Sequence, residues 1–251
     1  FLTQNVLNKE MSIRFVVVIP LVLFFTSAFS QSQELHAVYD VKLKVPENIL
    51  KIEDPNIRAL AQQAFEEQMG KGQQFELFLD KDLYSYTPKT DPSVVQQIQL
   101  TEKSKNGSVY MDFSKQEKIA QFKIMDKLFL VKDPIKQYDW KLENVEKVIA
   151  GKRCKKASVK LANGYAVAWY CADLPAQTGP AGYHGLPGLI LEIEDSLQTI
   201  TISSVEYLTK KVTILTPKGK IYTREEFDTL KNKKLKELGA DGQPGVQIIR
   251  M

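Results

Sequence analysis

Residue types that commonly bind metals or act as nucleophiles are scarce in this sequence. Its 251 residues include only two cysteines and two histidines. No HExxH or CxxC spacing occurs, and neither a GxSxG nor a GxxxxGK motif is present. These absences leave zinc-hydrolase, serine-hydrolase and nucleotide-binding functions without support. We therefore expect a non-enzymatic protein that has no cofactor and no bound metal.

The sequence also lacks a strong charge excess and, after its first 30 residues, a long apolar segment. It has 34 basic and 30 acidic residues, with a formal net charge of +4. Nucleic-acid-binding patches commonly have aromatic residues between their basic residues. The lysines of KNKKLKEL (231–238) have none between them. No later stretch approaches the ~20 apolar residues that cross a bilayer. We expect no nucleic-acid partner and no membrane span in the mature chain.

The N-terminal region has the pattern of a signal peptide. We interpret residues 1–10, which precede the first methionine, as upstream translated sequence and exclude them from the fold. Residues 11–30 combine Arg14 with an apolar core at 15–25 and small residues before a cleavage point after Ser30. A membrane anchor is the alternative, although the apolar core is shorter than a span. The expected protein is exported to the periplasm or the cell exterior.

Alternating apolar and polar residues dominate the chain after this leader. In ELHAVYDVKLKV every second residue from Leu35 to Val45 is apolar, which predicts a strand with one buried face. Nine further segments read as strands: QFELFL, VYMDF, KIAQFKI, KLFLVK, CKKASVKL, YAVAWYC, GLILEIE, TITISSVEYL and KVTIL. Short strands in close succession predict antiparallel pairing, because parallel pairs need crossover helices. No linker or repeat divides residues 31–251, so a single domain is expected.

Two segments have helical periodicity. The first, near 55–69, follows Asp54 as an N-cap and places Ile57 and Leu60 on one side. The second, near 224–238, opens with a capping box. Because each apolar stripe needs burial, we expect both helices to pack on one face of a large curved antiparallel sheet. The predicted class is α+β, mainly β.

Two cysteines lie on neighbouring predicted strands. A two-residue hairpin at Asn163-Gly164 pairs positions whose numbers sum to 327, which makes Cys154 and Cys171 diagonal neighbours. A loop with a sum of 325 would place them directly opposite each other. In an exported protein this arrangement favours a Cys154–Cys171 disulfide, although a reactive thiol or a metal-binding pair is an alternative.

The segment ADLPAQTGPAGYHGLPGLILEIED combines three prolines with four glycines and leads into a predicted strand. Prolines restrict φ and glycines permit positive φ, so we expect a well-defined irregular loop. Its hexapeptide, residues 185–190, resembles the motif of the GLPGLI family of exported Bacteroidetes proteins. The resemblance extends over Cys154–Ala157, Ala168–Tyr170, Leu174-Pro175 and Gly179-Pro180. It implies export but no biochemical activity. At fold level, the pattern is also similar to the half-open barrel of bacterial lipoprotein carriers.

The glycine-rich segment and the strand before it contain the candidate binding residues. We expect ligand or partner contacts from Trp169, Tyr170, Tyr183, His184, Gly185, Leu186, Pro187 and Gly188. Consecutive backbone N–H groups there could instead bind an anion, and a purely structural loop is a third interpretation. Tyr170 shares a predicted strand face with two alanines, which also fits a core position.

The predicted function is a non-catalytic binding or partner-interaction module. Its expected ligand is apolar or peptide-like and lies between the curved sheet and the helices. An outer-membrane protein is a second possible partner, for which the chain would serve as a structural component. The alternative is an envelope enzyme or metal-dependent factor that uses His36, His184 and nearby carboxylates.

Overall fold

The computed structural model describes residues 34–70, 72–89, 97–101, 107–124, 127–162, 164–209 and 211–237. The predicted upstream residues 1–10 and the predicted leader, 11–30, lie outside these ranges. The strands are β1 (Leu35–Leu43), β2 (Gln73–Asp80), β3 (Leu83–Pro88), β4 (Gln97–Thr101), β5 (Val109–Asp112), β6 (Glu117–Ile124), β7 (Lys127–Pro134), β8 (Lys141–Ile149), β9 (Lys152–Leu161), β10 (Gly164–Cys171), β11 (Leu189–Glu194), β12 (Gln198–Tyr207), β13 (Thr213–Lys218) and β14 (Ile221–Thr223). The helices are α1 (Glu47–Leu50), α2 (Pro55–Met69) and α3 (Arg224–Glu237).

Twelve of these strands form one large, mainly antiparallel sheet that does not close into a barrel. Their order is β14-β7-β6-β5-β3-β2-β1-β12-β11-β10-β9-β8. The predicted α+β, mainly β class is therefore confirmed. Among the described strands, the antiparallel prediction fails at β14, which pairs in parallel with β7, and at a separate parallel pair formed by β4 and β13.

Strand alternation places two hydrophobic clusters on opposite faces of the sheet. On β2, Phe75 and Leu77 belong to the first cluster, whereas Phe78 belongs to the second. The second cluster includes Ile98 of β4 and Ile214 of β13, so the two-stranded sheet covers that face. The first face is covered largely by an irregular loop between β10 and β11 and by α3. Both faces of the sheet thus contribute to the core.

The C-terminal helix has the predicted capping and packs as expected. The backbone N–H of Thr223 donates to Glu226 (2.8 Å), and the N–H of Glu226 donates to the Thr223 hydroxyl (3.2 Å). Phe227 is buried against Phe122 and Phe129, with ring centroids 5.2 and 5.8 Å away. The capping box therefore defines the start of α3, and Phe227 holds the helix on the first face. The predicted helix end at residue 238 lies outside the described residues.

The expected burial of the first helix is wrong. Asp54 caps α2 as predicted, since its carboxylate accepts from the Asn56 and Ile57 N–H groups at 2.8 and 3.1 Å. However, Ile57 and Leu60 are 58% and 68% exposed, and no residue of the helix is buried. Helical periodicity identified the element, but the first face is already occupied by the loop and by α3. Within the described residues, none of the three helices is long and apolar enough to cross a membrane.

Candidate functional site

The segment between β10 and β11, residues 172–188, forms what we call the Pro–Gly loop. It is joined to β11 by hydrogen bonds from Leu189 N–H to the Leu174 carbonyl and from Ile190 N–H to the Thr178 carbonyl, both 2.9 Å. The buried Tyr84 hydroxyl connects the loop to β3, because it donates to the Gly179 carbonyl and accepts from Gly182 N–H, both at 2.9 Å. The loop is thus a defined part of the core, as its composition predicted.

Glycine is required where this loop approaches the end of β10. A Cβ on Gly188 would lie 2.2 Å from the Cys171 carbonyl oxygen, and the residue has φ = +147°. A side chain would therefore meet both a backbone clash and a disfavoured conformation. The aliphatic members of the same hexapeptide, Leu186, Leu189 and Ile190, are fully buried. The hexapeptide combines a close backbone turn with three core side chains.

An aromatic cluster covers the middle of the loop. We define it as Phe113, Tyr138, Trp140, Tyr183 and His184. The Tyr138 ring centroid lies 5.4 Å from that of Tyr183 and 5.2 Å from that of His184. Trp140 Nε1 donates to the His184 carbonyl (2.8 Å), and Phe113 contacts the imidazole edge-on at 5.6 Å. Tyr183 and His184 are buried, whereas the other three rings are half-buried. The cluster therefore extends from the core to the surface.

His184 has one ring nitrogen without a partner among the described residues. Its Nδ1 lies 3.0 Å from the Gly182 carbonyl, which only accepts, so Nδ1 carries the proton and donates. Nε2 is then an unprotonated acceptor, and it is buried and unpaired in the described chain. Burial, together with the charge of Lys118, lowers the pKa of His184 and keeps the ring neutral.

Thr178, which lies opposite His184 in the loop, has a second polar atom without a partner among the described residues. Thr178 and His184 form an isolated antiparallel bridge, and Gly185 N–H donates to the Gln177 carbonyl at 3.0 Å beside it. That bond pattern marks a non-hydrogen-bonded pair, in which the two side chains lie on the same side and closest together. Thr178 Oγ1 is buried and has no partner among the described residues. The two side chains are only 2% and 6% exposed as residues.

The other predicted aromatic contacts do not join this cluster. Trp169 lies instead under the ammonium group of Lys147, 4.5 Å from its ring centroid. Tyr170 is buried in the first cluster, as its shared face with the alanines indicated. Gly185 and Pro187 are exposed beside the cluster. Trp169 and Tyr170 therefore lie outside the aromatic cluster that contains Tyr183.

The structure gives the two histidines different partners. His36 on β1 contacts Glu206 (3.0 Å) and Glu76 (3.3 Å) and stacks on Phe78. Burial is the largest single influence on the His36 pKa and lowers it, but the bonds to the two carboxylates outweigh it and raise the pKa. None of the described residues form a cluster of three or more His, Cys, Asp or Glu side chains that could hold a metal ion. The residues named for the metal-dependent alternative are therefore not assembled into a site.

The carboxylates that follow the loop have structural partners. Glu192 pairs with Lys147 at 2.6 Å, and Glu194 pairs with Lys44 at 2.8 Å. Asp195 accepts from the Tyr183 hydroxyl (2.9 Å) and from two backbone N–H groups of the β11–β12 turn. These contacts explain the acidic residues at the strand end without an acid–base role.

Cys154 and Cys171 are free thiols in the structure, so the expected disulfide is not confirmed. The expected hairpin sum of 327 is also wrong, because Gly164 pairs with Leu161 and Tyr170 with Lys155, a sum of 325. Asn163, the first predicted turn residue, lies outside the described residues. One step beyond Tyr170 this register places Cys171 opposite Cys154, and both are fully buried. Burial and the neighbouring Cys171 raise the pKa of Cys154 to about 11.

Four residues beside the loop were not predicted from the sequence: the aromatic residues Phe113, Tyr138 and Trp140, and Lys118. Tyr138 and Trp140 alternate in the short stretch before β8, and that alternation was the available signal. Phe113 and Lys118 flank a tight turn between β5 and β6, and only the sheet order brings them to the loop. The Lys118 Nζ lies 3.3 Å from the position that a Cβ on Gly182 would occupy.

Residues 110–192 match the family model described as "Protein of unknown function (Porph_ging)". The chain is similar to that family over this span. The span is about a third of the chain and contains most of β5, strands β6 to β10, the Pro–Gly loop and most of β11. It includes the hexapeptide, although the family description does not carry the GLPGLI name. No curated protein matches the chain.

Two solved structures of PNGF-II are similar in part. The structure in the P21 space group has a TM-score of 0.46 and 13% sequence identity, and the match covers 80% of this chain and 34% of that chain. The structure in the C2 space group has a TM-score of 0.41 and 13% identity, with 73% and 31% covered. This chain therefore spans about a third of the length of those proteins.

Proposed function

We propose that the protein is a non-catalytic binding module that holds a peptide-like ligand at the Pro–Gly loop. The observation that supports this is the pair of buried polar atoms, His184 Nε2 and Thr178 Oγ1, that lack partners among the described residues. An unpaired buried polar atom costs about 1–3 kcal/mol. A ligand that pairs with both atoms recovers that free energy.

The chemistry of the two atoms selects an amide group. His184 Nε2 accepts a hydrogen bond, because its Nδ1 proton is donated to the Gly182 carbonyl. The Thr178 hydroxyl can donate one. An amide presents an N–H donor and a carbonyl acceptor next to each other, as found in a peptide backbone or in an Asn or Gln side chain. The half-buried rings of Phe113 and Tyr138, which contact the imidazole, supply apolar walls on the side nearest the surface.

The proposed ligand site differs from the one that the sequence suggested, which lay between the curved sheet and the helices. The first face of the sheet is occupied by the chain's own buried side chains, including Leu186 of the loop and Phe227 of α3. The exposed side of α2 does not close a groove over it. Export to the periplasm or cell exterior is part of the proposal and rests on the leader sequence.

The test uses N-acetylated dipeptide amides as probes. Binding to the full chain is followed by NMR of the His184 imidazole and by titration calorimetry. Thr178→Val and His184→Phe are each expected to weaken binding at least about tenfold, the equivalent of 1.4 kcal/mol. His36→Phe is the matched control and leaves binding unchanged. Thermal unfolding of each variant separates lost binding from lost folding.

Two results would contradict the proposal. Equal affinity of the probes for Thr178→Val and the unmodified chain would mean that the hydroxyl is not used. Absence of binding across the probe set, with a single ordered water between Thr178 and His184, would mean that these atoms only hold solvent.

We also propose that Cys154 and Cys171 close into a disulfide in an oxidising compartment. Each thiol loses one proton and one electron to a disulfide oxidant such as oxidised glutathione, which is reduced to two thiols. The bond closes a loop of similar length to the 15-residue case, for which the chain-entropy model gives about 3 kcal/mol of stabilisation. We expect a higher denaturant midpoint after oxidation, with no change in a Cys171→Ser variant. Two titratable thiols after oxidant treatment of the unfolded and refolded chain would contradict this.

A further inference from the structure

The two edges of the large sheet differ in length and protection. At one edge, β14 has three residues and continues directly into α3. At the other edge, β8 has nine residues, and within the described ranges no strand pairs with its outer side. An unpaired edge exposes backbone N–H and C=O groups that only another extended chain can pair regularly. The β8 edge is therefore the part of the sheet that can accept an additional strand.

Three large aliphatic side chains are exposed on this edge strand. Leu142, Val145 and Val148 are 56%, 46% and 72% exposed. Exposed aliphatic residues on a long edge strand favour pairing with another chain. Strand β8 also carries two lysines and two glutamates, so charge complementarity must decide which chain it can pair with. The spacing of the aliphatic residues is also symmetrical, since Leu142 and Val148 lie three residues on either side of Val145.

This symmetry matches antiparallel pairing of β8 with a second copy of itself. A two-fold axis at Val145 places that residue opposite its own copy and Leu142 opposite Val148 of the second copy. The same register places Glu143 opposite Lys147 of the second copy. A two-fold interface must be self-complementary in this way, with the same contacts made twice. The three aliphatic positions and the Glu143–Lys147 pair of β8 meet this requirement.

The intrachain ion pairs extend the charge pattern across the junction. Glu143 already pairs with Lys156 at 3.0 Å, and Lys147 pairs with Glu192 at 2.6 Å. Pairing of Glu143 with Lys147 of the second copy would join these into one row of alternating positive and negative groups. Unlike charges opposite each other stabilise a strand pair, whereas like charges destabilise it.

The register of β8 against β9 shifts between Leu142 and Glu146. The strand is therefore irregular at its centre and regular at its two ends. Backbone hydrogen bonds to the second copy are expected at the ends, where Lys141 and Leu142 face Ile149 and Val148. At the centre, side-chain contact of the two Val145 residues replaces regular pairing.

We propose that the protein forms a two-fold symmetric homodimer by antiparallel pairing of β8 with β8, centred on Val145. The dimer joins two twelve-stranded sheets into one. This surface is separate from the Pro–Gly loop, so the proposal does not depend on the proposed ligand.

The first test is the mass of the full chain in solution, measured by light scattering and sedimentation over a series of increasing protein concentrations. Val145→Lys places two ammonium groups opposite each other and is expected to raise the dissociation constant at least about tenfold. Ile57→Lys, on the equally exposed side of α2, is the control and leaves the dimer unchanged. A monomer at all concentrations, or a dimer unaffected by Val145→Lys, would overturn the proposal.

The second test checks the register. Val145→Cys is expected to form a covalent dimer on mild oxidation, because residue 145 faces its own copy. Val148→Cys alone should not, but a mixture of Val148→Cys and Leu142→Cys chains should give the mixed covalent dimer. The native cysteines are fully buried and do not compete. Equal cross-linking of all single variants would exclude the proposed register.

Discussion

At the residue scale, Gly188 illustrates how one backbone position supports the candidate site. Its missing side chain allows the loop to pass the Cys171 carbonyl and place the residues before it beside the aromatic cluster. The loop has other glycines with positive φ, but a Cβ on Gly185 would meet nothing closer than 3.9 Å. The steric requirement for glycine is therefore much stricter at Gly188 than at Gly185.

Gly188→Ala is expected to destabilise the protein by about 3 kcal/mol or more, since conformational strain and overpacking add. Gly151→Ala is the matched control: it also has positive φ (+74°), but no atom lies within 4 Å of its Cβ position. Gly151→Ala should lower the free energy of unfolding by only about 1–2 kcal/mol. Urea unfolding measures both, and equal losses would show that the close contact at Gly188 does not matter.

The two histidines predict opposite pH dependences of stability. His36 has a raised pKa in the folded chain, so its contribution is present below about pH 6.5 and is lost as the pH rises through the folded value. His184 has a lowered pKa, so its contribution is present above about pH 6.5 and is lost as the pH falls. The carboxylates that face His36 are Glu76 and Glu206, and Lys118 is the charge that acts on His184.

His36→Gln is the variant that separates these two effects. The difference in unfolding free energy between the unmodified chain and the variant should decrease as the pH rises above 6.5. Denaturant titrations at pH 5 to 9 give this difference directly. A difference that is constant or grows over that range would show that the two carboxylates do not favour the charged imidazole.

At the element scale, α2 and α3 have similar sequence signals but different roles. Both begin with the predicted cap, and both have an apolar side. Only α3 places an aromatic residue, Phe227, between side chains of β6 and β7. It is also joined to β7 by the ion pair of Arg224 and Asp133. Packing on the sheet, and not the periodic pattern, thus determines how much each helix contributes to stability.

Phe227→Ala is expected to lower the free energy of unfolding by about 3–5 kcal/mol, as large-to-small changes of buried aromatic residues do. Leu60→Ala is the corresponding change on α2. It should change the free energy of unfolding by no more than about 0.5 kcal/mol, because the side chain is exposed. Thermal or urea unfolding compares the two variants. A large effect of Leu60→Ala would mean that α2 is covered in solution by a surface outside the described residues.

At the scale of the whole molecule, the two hydrophobic clusters share the strands of one half of the sheet. Strands β2, β5, β6 and β7 contribute buried residues to both faces. Strand β8 and helix α2 lie at the periphery, with exposed aliphatic residues. The strands covered on both faces should therefore be the most stable against local opening.

Hydrogen exchange is expected to follow this arrangement. Backbone amides of β2, β5 and β6 should exchange slowest, near the global unfolding limit, and those of α2 fastest. In the proposed dimer, amides at the ends of β8 should gain protection as the protein concentration increases. Mass spectrometry of exchanged peptides measures both effects, and fast exchange in β5 and β6 would contradict a core on both faces.

Much of the fold and part of the site were predictable, because they depend on local patterns. Alternation identified most strands, and the caps of α2 and α3 were read correctly from Asp54 and Thr223. The loop was recognised from proline and glycine. Its contacts were not, since Phe113 and Lys118 are distant in sequence and reach His184 only through the sheet order. The short strands β3, β4 and β14 were missed because they have too few residues for a clear period. The nine-residue β8 was also missed, because its aliphatic residues Leu142, Val145 and Val148 are three residues apart and do not alternate.

By itself, the sequence determined the mainly β class, the two capped helices and an ordered Pro–Gly loop, because periodicity, capping and φ preferences act between near neighbours. The tertiary structure alone decided that α2 stays exposed and that Cys154 faces Cys171. It also decided that His184 and Thr178 lie side by side, each with a buried polar atom that has no partner in the described part of the chain. These features depend on which surfaces compete for the same sheet face and on hairpin register, and both are set by contacts between residues far apart in the chain.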